Sequence, residues 1–262
     1  MNNKVAIITG ATSGIGKEYS RLLASKGYNL ILVGRRIEII TKVARDIEDE
    51  FNVYVETKIL DLTNKQSFNN FANEIESRND IEMLINNAGY GAEASFTEDT
   101  FENQDDMVNV HIKATIKLCH IVSKQMKKNK SGKIINVCSL AAFNVFPTSA
   151  MYCATKMFLV SFSQSLAMEL NKYNIRVQAL CPGFTRTDFH AKLDMDESKL
   201  KSKGIVRWMY PQEVVEYSLS KIDKELKVII IPGFLNRVTY HLVKFIPKNV
   251  YYKVASRSWD LL

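Results

Sequence analysis

The sequence predicts a doubly wound α/β fold, a three-layer domain with a parallel sheet of about seven strands between two layers of helices. Short β-branched apolar runs recur along the chain, each followed by a helical stretch. Strands so spaced need crossover connections, and right-handed crossovers give a parallel sheet. The first run also meets glycine at once, and no internal repeat, low-complexity stretch or Gly/Ser-rich linker divides the 262 residues. Residues 1–262 therefore read as one domain.

Val5 to Thr9 is a buried strand, the helical pattern of Gly16 to Lys26 follows, and Gly27 turns the chain into a second strand at Asn29 to Val33. The alternation continues with a helix near Arg36 to Glu50, a strand at Val53 to Leu60, a helix over Lys65 to Arg78 and a strand at Ile81 to Ile85. A long helical region covers Phe101 to Lys130, before a strand at Lys133 to Val137, a helix over Ser149 to Tyr173 and a strand at Ile175 to Leu180. Pro211 opens a further helix at its favoured first position, and Val228 to Ile231 reads as the last strand. Two parts escape this pattern: an insert at about 188–210, expected as a substrate lid, and a C-terminal extension at about 233–262.

A formal charge of +7 raises the question of nucleic acid, but Lys and Arg are scattered along the chain. The densest group, Lys124, Lys127, Lys128 and Lys130, falls at a helix end, where cations favour the exposed carbonyls. No nucleic-acid partner is expected. Cys119, Cys138, Cys153 and Cys181 show no CxxC spacing, which argues against a zinc site and a disulfide framework and fits a reducing compartment. No metal is expected, and no segment has the apolar length of a signal peptide or a bilayer span, so a cytoplasmic protein is expected.

Thr9-Gly10-Ala11-Thr12-Ser13-Gly14-Ile15-Gly16 lies where the first strand becomes the first helix. Glycine there permits a tight turn and lets a pyrophosphate reach the helix N-terminus. The spacing is not that of the common G-x-G-x-x-G fingerprint, so place in the fold carries the argument. After the second strand, where an acid would bind a ribose 2′-hydroxyl, the chain instead reads Val33-Gly34-Arg35-Arg36. Guanidinium pairs with phosphate, so NADP is favoured over NAD, the other reading being that these arginines merely start the next helix.

Ser139 follows the fifth strand, thirteen residues before Tyr152, and Lys156 stands four beyond Tyr152 on the same helical face. A lysine cation is expected to lower the phenol's pKa and tune it as a proton carrier, while the serine hydroxyl hydrogen-bonds the reacting oxygen. In carbonyl reduction the hydride goes to carbon and the Tyr152 proton to oxygen.

Together these residues resemble the short-chain dehydrogenase/reductase family, a Rossmann-like group whose T-G-x-x-x-G-x-G matches Thr9 to Gly16, N-N-A-G matches Asn86 to Gly89, and Y-x-x-x-K matches Tyr152 to Lys156. The resemblance covers about residues 3–187. It implies that Asn109 holds a water in a proton relay with Lys156, that Asp61 with Leu62 contacts adenine, and that Asn86, Ala88 and Gly89 border the cofactor. It also implies that the Pro182-Gly183 loop brings Thr185 and Thr187 to the nicotinamide carboxamide, that Lys156 binds the nicotinamide ribose, and that the protein forms homodimers or homotetramers. Cys138 stands where the family often has serine, and Ser13 where some NADP-preferring members carry a basic residue.

Phe143, Phe146, Phe184, Phe189 and Trp208, with His190 and Met209, lie on approaches to the strands' carboxyl ends. They fit either an apolar substrate or a packed lid. Hydroxysteroids, bile acids, 3-oxoacyl thioesters and smaller ketones all remain open as substrates, and the tail weakly resembles that of members acting on hydroxysteroids or long acyl chains. The basic, aromatic tail after Gly233 is expected to close over the substrate site or a neighbouring subunit, with an anionic membrane as the alternative. A dinucleotide-binding regulator without catalysis is the rival function, and retention of Tyr152 and Lys156 counts against it. The longer epimerase/dehydratase branch of the superfamily is another rival, and length and the Gly10–Gly14 spacing count against that.

Overall fold

The computed structural model describes residues 4–91, 94–188, 207–224 and 227–259, with the side chains of 257–259 outside the description. Among them lies a seven-stranded parallel sheet of β1 (Val5–Thr9), β2 (Asn29–Gly34), β3 (Val55–Ile59), β4 (Ile81–Asn86), β5 (Gly132–Val137), β6 (Ile175–Leu180) and β7 (Ile229–Ile230). The strand order is β3-β2-β1-β4-β5-β6-β7. The order reverses between β1 and β4, so their carboxyl ends part and open a crevice there.

The helices are α1 (Gly14–Ala24), α2 (Ile37–Phe51), α3 (Lys65–Glu76), α4 (Phe101–Val108), α5 (Ala114–Asn129), α6 (Ala150–Leu170), α7 (Pro211–Ile222), α8 (Phe234–Val243) and α9 (Lys248–Trp259). Local chemistry sets several ends. Asn64 and Thr100 accept from the backbone N–H groups of Ser67 and Asn103 to open α3 and α4. At α7, Pro211 takes the first turn while the Tyr210 N–H donates to Glu213, 2.8 Å away.

Both faces of the sheet are covered. One core gathers Ile8, Leu30, Leu32 and Ile85 with Leu23 and Ile40 from α1 and α2; the other joins Ile7, Ile31 and Leu84 to Phe71, Leu118 and Val122 from α3 and α5. Truncating Leu32 or Leu84, both wholly buried, would cost about 2–5 kcal/mol. A buried polar line crosses the first core: the Tyr19 hydroxyl donates to Ser218 Oγ at 2.6 Å, and Ser218 donates to Gln178, tying α1 and α7 to β6.

The sequence-based boundaries hold to within a few residues, with three departures. β3 begins at Val55, two residues late, because Asn52 ends α2 in the left-handed conformation. The region from Phe101 is not one α-helix: a π turn at Asn109–Lys113 separates α4 from α5. The tail forms two helices broken at Pro247, as a proline requires. Of the expected lid at 188–210, residues 189–206 lie outside the described residues. All four cysteines are buried and free.

Candidate active site

The turn after β1 holds Gly10 at φ +68° and Gly14 at φ +53°, left-handed conformations that favour glycine. Asn87 fastens this turn to the end of β4. Its Nδ2 donates to the Thr9 and Gly10 carbonyls at 3.0 and 3.1 Å, while the N–H groups of Asn87 and Ala88 both donate to Thr9 Oγ1 at 3.0 Å. Asn87, quoted in the motif but assigned no role from sequence, is the clamp of the crevice. Thr187 closes the loop from above, since a Cβ on Gly14 would lie 2.6 Å from its methyl group. Thr185 is buried, with its hydroxyl donating to the Gly183 carbonyl at 3.0 Å.

Arg36 Nη2 donates to Thr12 Oγ1 at 2.9 Å, which sets its guanidinium on the glycine loop, and its Nη1 lies 3.4 Å from Asp188. Arg35 pairs with Asp61 at 3.2 Å. Burial raises the Asp61 carboxyl, but hydrogen bonds from Thr63 and the Arg35 guanidinium outweigh it and hold the group net below the usual carboxylate range. Ile15 and Leu62 are half-buried packing residues, set against the first and second cores respectively.

Asn86 departs from its expected place. Its side chain enters the core, donating to Asn136 at 2.8 Å, and Asn136 donates on to Ser163 at 2.8 Å. Its amide braces β4 against β5 and does not face the crevice, because alternate residues of a strand point to opposite sides.

Ser139 and Tyr152 are hydrogen-bonded to each other. Ser139 Oγ also accepts from the Ala141 N–H at 3.1 Å, which occupies a lone pair and leaves the hydroxyl hydrogen for another acceptor. Lys156 is buried beneath them, its ammonium 2.9 Å from the Val137 carbonyl and 5.7 Å from the centre of the Tyr152 ring. A Cβ on Gly89 would lie 3.4 Å from that ammonium, which places the N-N-A-G turn beside it. The expected lowering of the phenol is corrected here: burial pushes Tyr152 up to about 12, against the pull of Ser139. The Lys156 ammonium, itself lowered by burial, donates to the Val137 carbonyl.

Asn109 sits at the start of the π turn with its side chain committed elsewhere. Its Nδ2 donates to Asp105 at 3.1 Å and its Oδ1 accepts from Lys113 at 2.8 Å.

His111, unmarked in the sequence, is part of the site. The Tyr90 N–H donates to its Nε2 at 3.1 Å, so Nδ1 carries the proton and donates to Thr155 Oγ1 at 2.9 Å. Thr155 in turn donates to the Tyr152 carbonyl at 2.9 Å, and the imidazole meets the Tyr152 ring edge-on at 6.0 Å between centroids. Burial, aided by Lys156, holds His111 well below its ordinary 6.5. A depressed pKa gives stability that is present above 6.5 and lost as the pH falls below it. The midpoint of urea unfolding is therefore expected to drop on acidification from pH 7, and to drop less in His111→Gln.

In the loop after β5, Phe143 packs edge-on against Tyr240 of α8 at 4.7 Å, and the Tyr251 hydroxyl of α9 donates to the Val145 carbonyl at 2.8 Å. The tail thus closes on the loop after β5. Phe184 packs on Trp208 at 5.0 Å, Trp208 is buried, and Phe146 is exposed at the loop's edge. Asn144 in this loop has a buried Oδ1 with no hydrogen-bond partner, a polar group facing inward that the sequence did not single out. Phe189 and His190 lie outside the described residues. Among the described residues no cluster of His, Cys, Asp and Glu is fit for a metal, and no helix is long and apolar enough to cross a membrane.

Residues 4–198 match the family described as short chain dehydrogenase. The chain is 32% identical over 221 residues to an uncharacterised oxidoreductase of Staphylococcus saprophyticus, covering 82% of this chain and 94% of that protein. It is 31% identical over 223 residues to the 3-oxoacyl-acyl-carrier-protein reductase of Aquifex aeolicus, covering 84% and 90%. A solved short-chain dehydrogenase of Sphingobium yanoikuyae, in complex with NADPH, superposes with a TM-score of 0.82 at 28% identity, over 93% of this chain and 96% of that one. With its parallel sheet, the glycine turn at the crevice and the buried lysine on the tyrosine helix, the chain belongs to the short-chain dehydrogenase/reductase family and is an NAD(P)-dependent oxidoreductase.

Proposed function

We propose that this protein is an NADP-dependent enzyme of the cytoplasm that interconverts a carbonyl and a secondary alcohol on an apolar substrate. The observation that carries the reading is the Ser139–Tyr152 hydrogen bond held over the buried Lys156 ammonium, across the crevice from the glycine turn.

The crevice fits a dinucleotide. Gly89 leaves room beside Lys156, Gly10 and Gly14 take turns closed to other residues, and Arg36 lies on the loop where a 2′-phosphate would need a cation. Gly10, Thr12, Ser13, Gly14, Ile15 and Gly16 would hold the pyrophosphate, and Asp61, Leu62, Ala88, Gly89, Thr185 and Thr187 the adenine and nicotinamide ends. When bound, the nicotinamide supplies or accepts the hydride. The chain handles the proton: Ser139 donates to the carbonyl oxygen, Tyr152 passes its phenol proton to that oxygen, and Lys156 stabilises the phenolate left behind. With its side chain spent on Asp105 and Lys113, Asn109 would support the lysine through a water on its main-chain carbonyl.

For the substrate, Phe143, Phe146, Phe184, Phe189 and Trp208 would form the apolar walls, and the likeness to a 3-oxoacyl reductase supports a 3-oxoacyl ketone. Exposed Met157, Phe158 and Met168 on α6 support association into a homodimer or homotetramer.

Comparison of NADPH and NADH tests the coenzyme reading. Charge-assisted hydrogen bonds of about 1.5–3 kcal/mol predict that replacing Arg35 and Arg36 by serine raises the NADPH KM roughly ten- to hundredfold and leaves NADH use little changed. Equal use of both coenzymes by the unaltered enzyme would reject NADP preference.

A further inference from the structure

Helices α8 and α9 carry two unlike faces. Inward, Asn236 is buried, Tyr240 packs on Phe143 and Tyr251 bonds the Val145 carbonyl. Outward, Phe234, Leu242, Phe245, Ile246, Val250 and Val254 stand in water, with Phe245 84% exposed. On α9 the exposed Val250 and Val254 are one turn apart, while Tyr251 and Ala255 mark the half-buried stripe beside them. Apolar side chains this exposed at neighbouring positions mark an interaction surface.

The charge says which kind. From Phe234 to Ser256 the sequence holds Lys244, Lys248 and Lys253 and no Asp or Glu, while Arg237 turns inward to the Tyr217 hydroxyl and the Ile231 carbonyl. A second copy meeting this face by two-fold symmetry would set cations against cations. An anionic lipid surface instead takes the ammonium groups at its phosphates and the exposed aliphatics at the headgroup–acyl boundary. Helices of ten and twelve residues broken at Pro247 suit a segment lying along a bilayer, not one spanning it.

We propose that the α8–α9 face docks the protein peripherally on anionic membrane, with Phe245, Ile246, Val250 and Val254 entering the interface and Lys248 and Lys253 meeting lipid phosphates. The same helices hold the Phe143–Phe146 loop, so docking sets the substrate entrance beside the bilayer. That last clause rests on the function proposed above; lipid binding does not.

The test is co-sedimentation of the full chain with vesicles of phosphatidylcholine alone or mixed with phosphatidylglycerol, at physiological salt. Binding to the mixed vesicles is expected to be at least about tenfold tighter, and the F245S/I246S and K248Q/K253Q variants are each expected to weaken it by about tenfold or more. Both variants should retain turnover of a water-soluble ketone. Equal binding to both vesicle types, or variants that bind as well as the parent, overturns the proposal. So does sedimentation velocity showing that the variants lose a dimer the parent forms, which would assign the face to a second copy. Vesicle binding by a protein with no reductase activity would sink the enzymatic reading and leave this one standing.

Discussion

Tyr152→Phe is expected to lower kcat by about two to four orders of magnitude, the range that one general acid contributes. The variant keeps the ring, its edge contact with His111 and its place on α6, and it loses only the hydroxyl that faces Ser139. NADPH affinity, followed by nicotinamide fluorescence, should stay within a few-fold of the parent, because the glycine turn and Arg36 are untouched. The loss should therefore appear in kcat and not in cofactor binding. Removing one neutral hydrogen bond costs about 1 kcal/mol, so the variant should remain folded. Turnover near the parent's level would eliminate the phenol as proton donor.

Gly16→Ala is expected to have a comparable effect by a different route. A Cβ there would stand 2.2 Å from the Gly10 carbonyl oxygen and 2.5 Å from Asn87 Nδ2, closer than atoms can approach. Neither neighbour is free to yield. The carbonyl belongs to a turn fixed at φ +68°, and the amide is spent on holding β4 to that turn. α1 must shift, which opens the pyrophosphate cradle. A loss of about 3 kcal/mol or more is expected, seen as a fall in Tm of roughly 6–12 °C, with NADPH binding reduced at least a hundredfold. Gly27→Ala is the control: unlike Gly16 it has a positive φ, +78°, but no atom lies within 4 Å of its Cβ, so only about 1–2 kcal/mol of backbone strain is expected.

What could be read from the sequence was whatever local pattern encodes. The strands appeared as apolar runs, the nucleotide turn as glycines between strand and helix, and the Tyr152–Lys156 pair as a spacing on one helical face. What stayed hidden depends on partners distant in the chain. Asn86 reads like its neighbour Asn87, yet one braces the core against Asn136 and the other clamps the glycine turn. His111 carried no signal, because its role arises only when Tyr90 and Thr155 meet it from other segments. The π turn at Asn109 left no mark in the apolar spacing, and the phenol's high pKa follows from burial that spacing cannot convey.

The contact of Thr187 on Gly14 joins the first turn of the chain to one made far later, and Asn236 lies against Gly183, where a Cβ would come within 2.7 Å of it. On the ribosome the nucleotide cradle therefore emerges early but half built. It gains its cover only once the Pro182–Thr187 loop has been synthesised and has folded back over it, with Asn236 packing behind that loop later still.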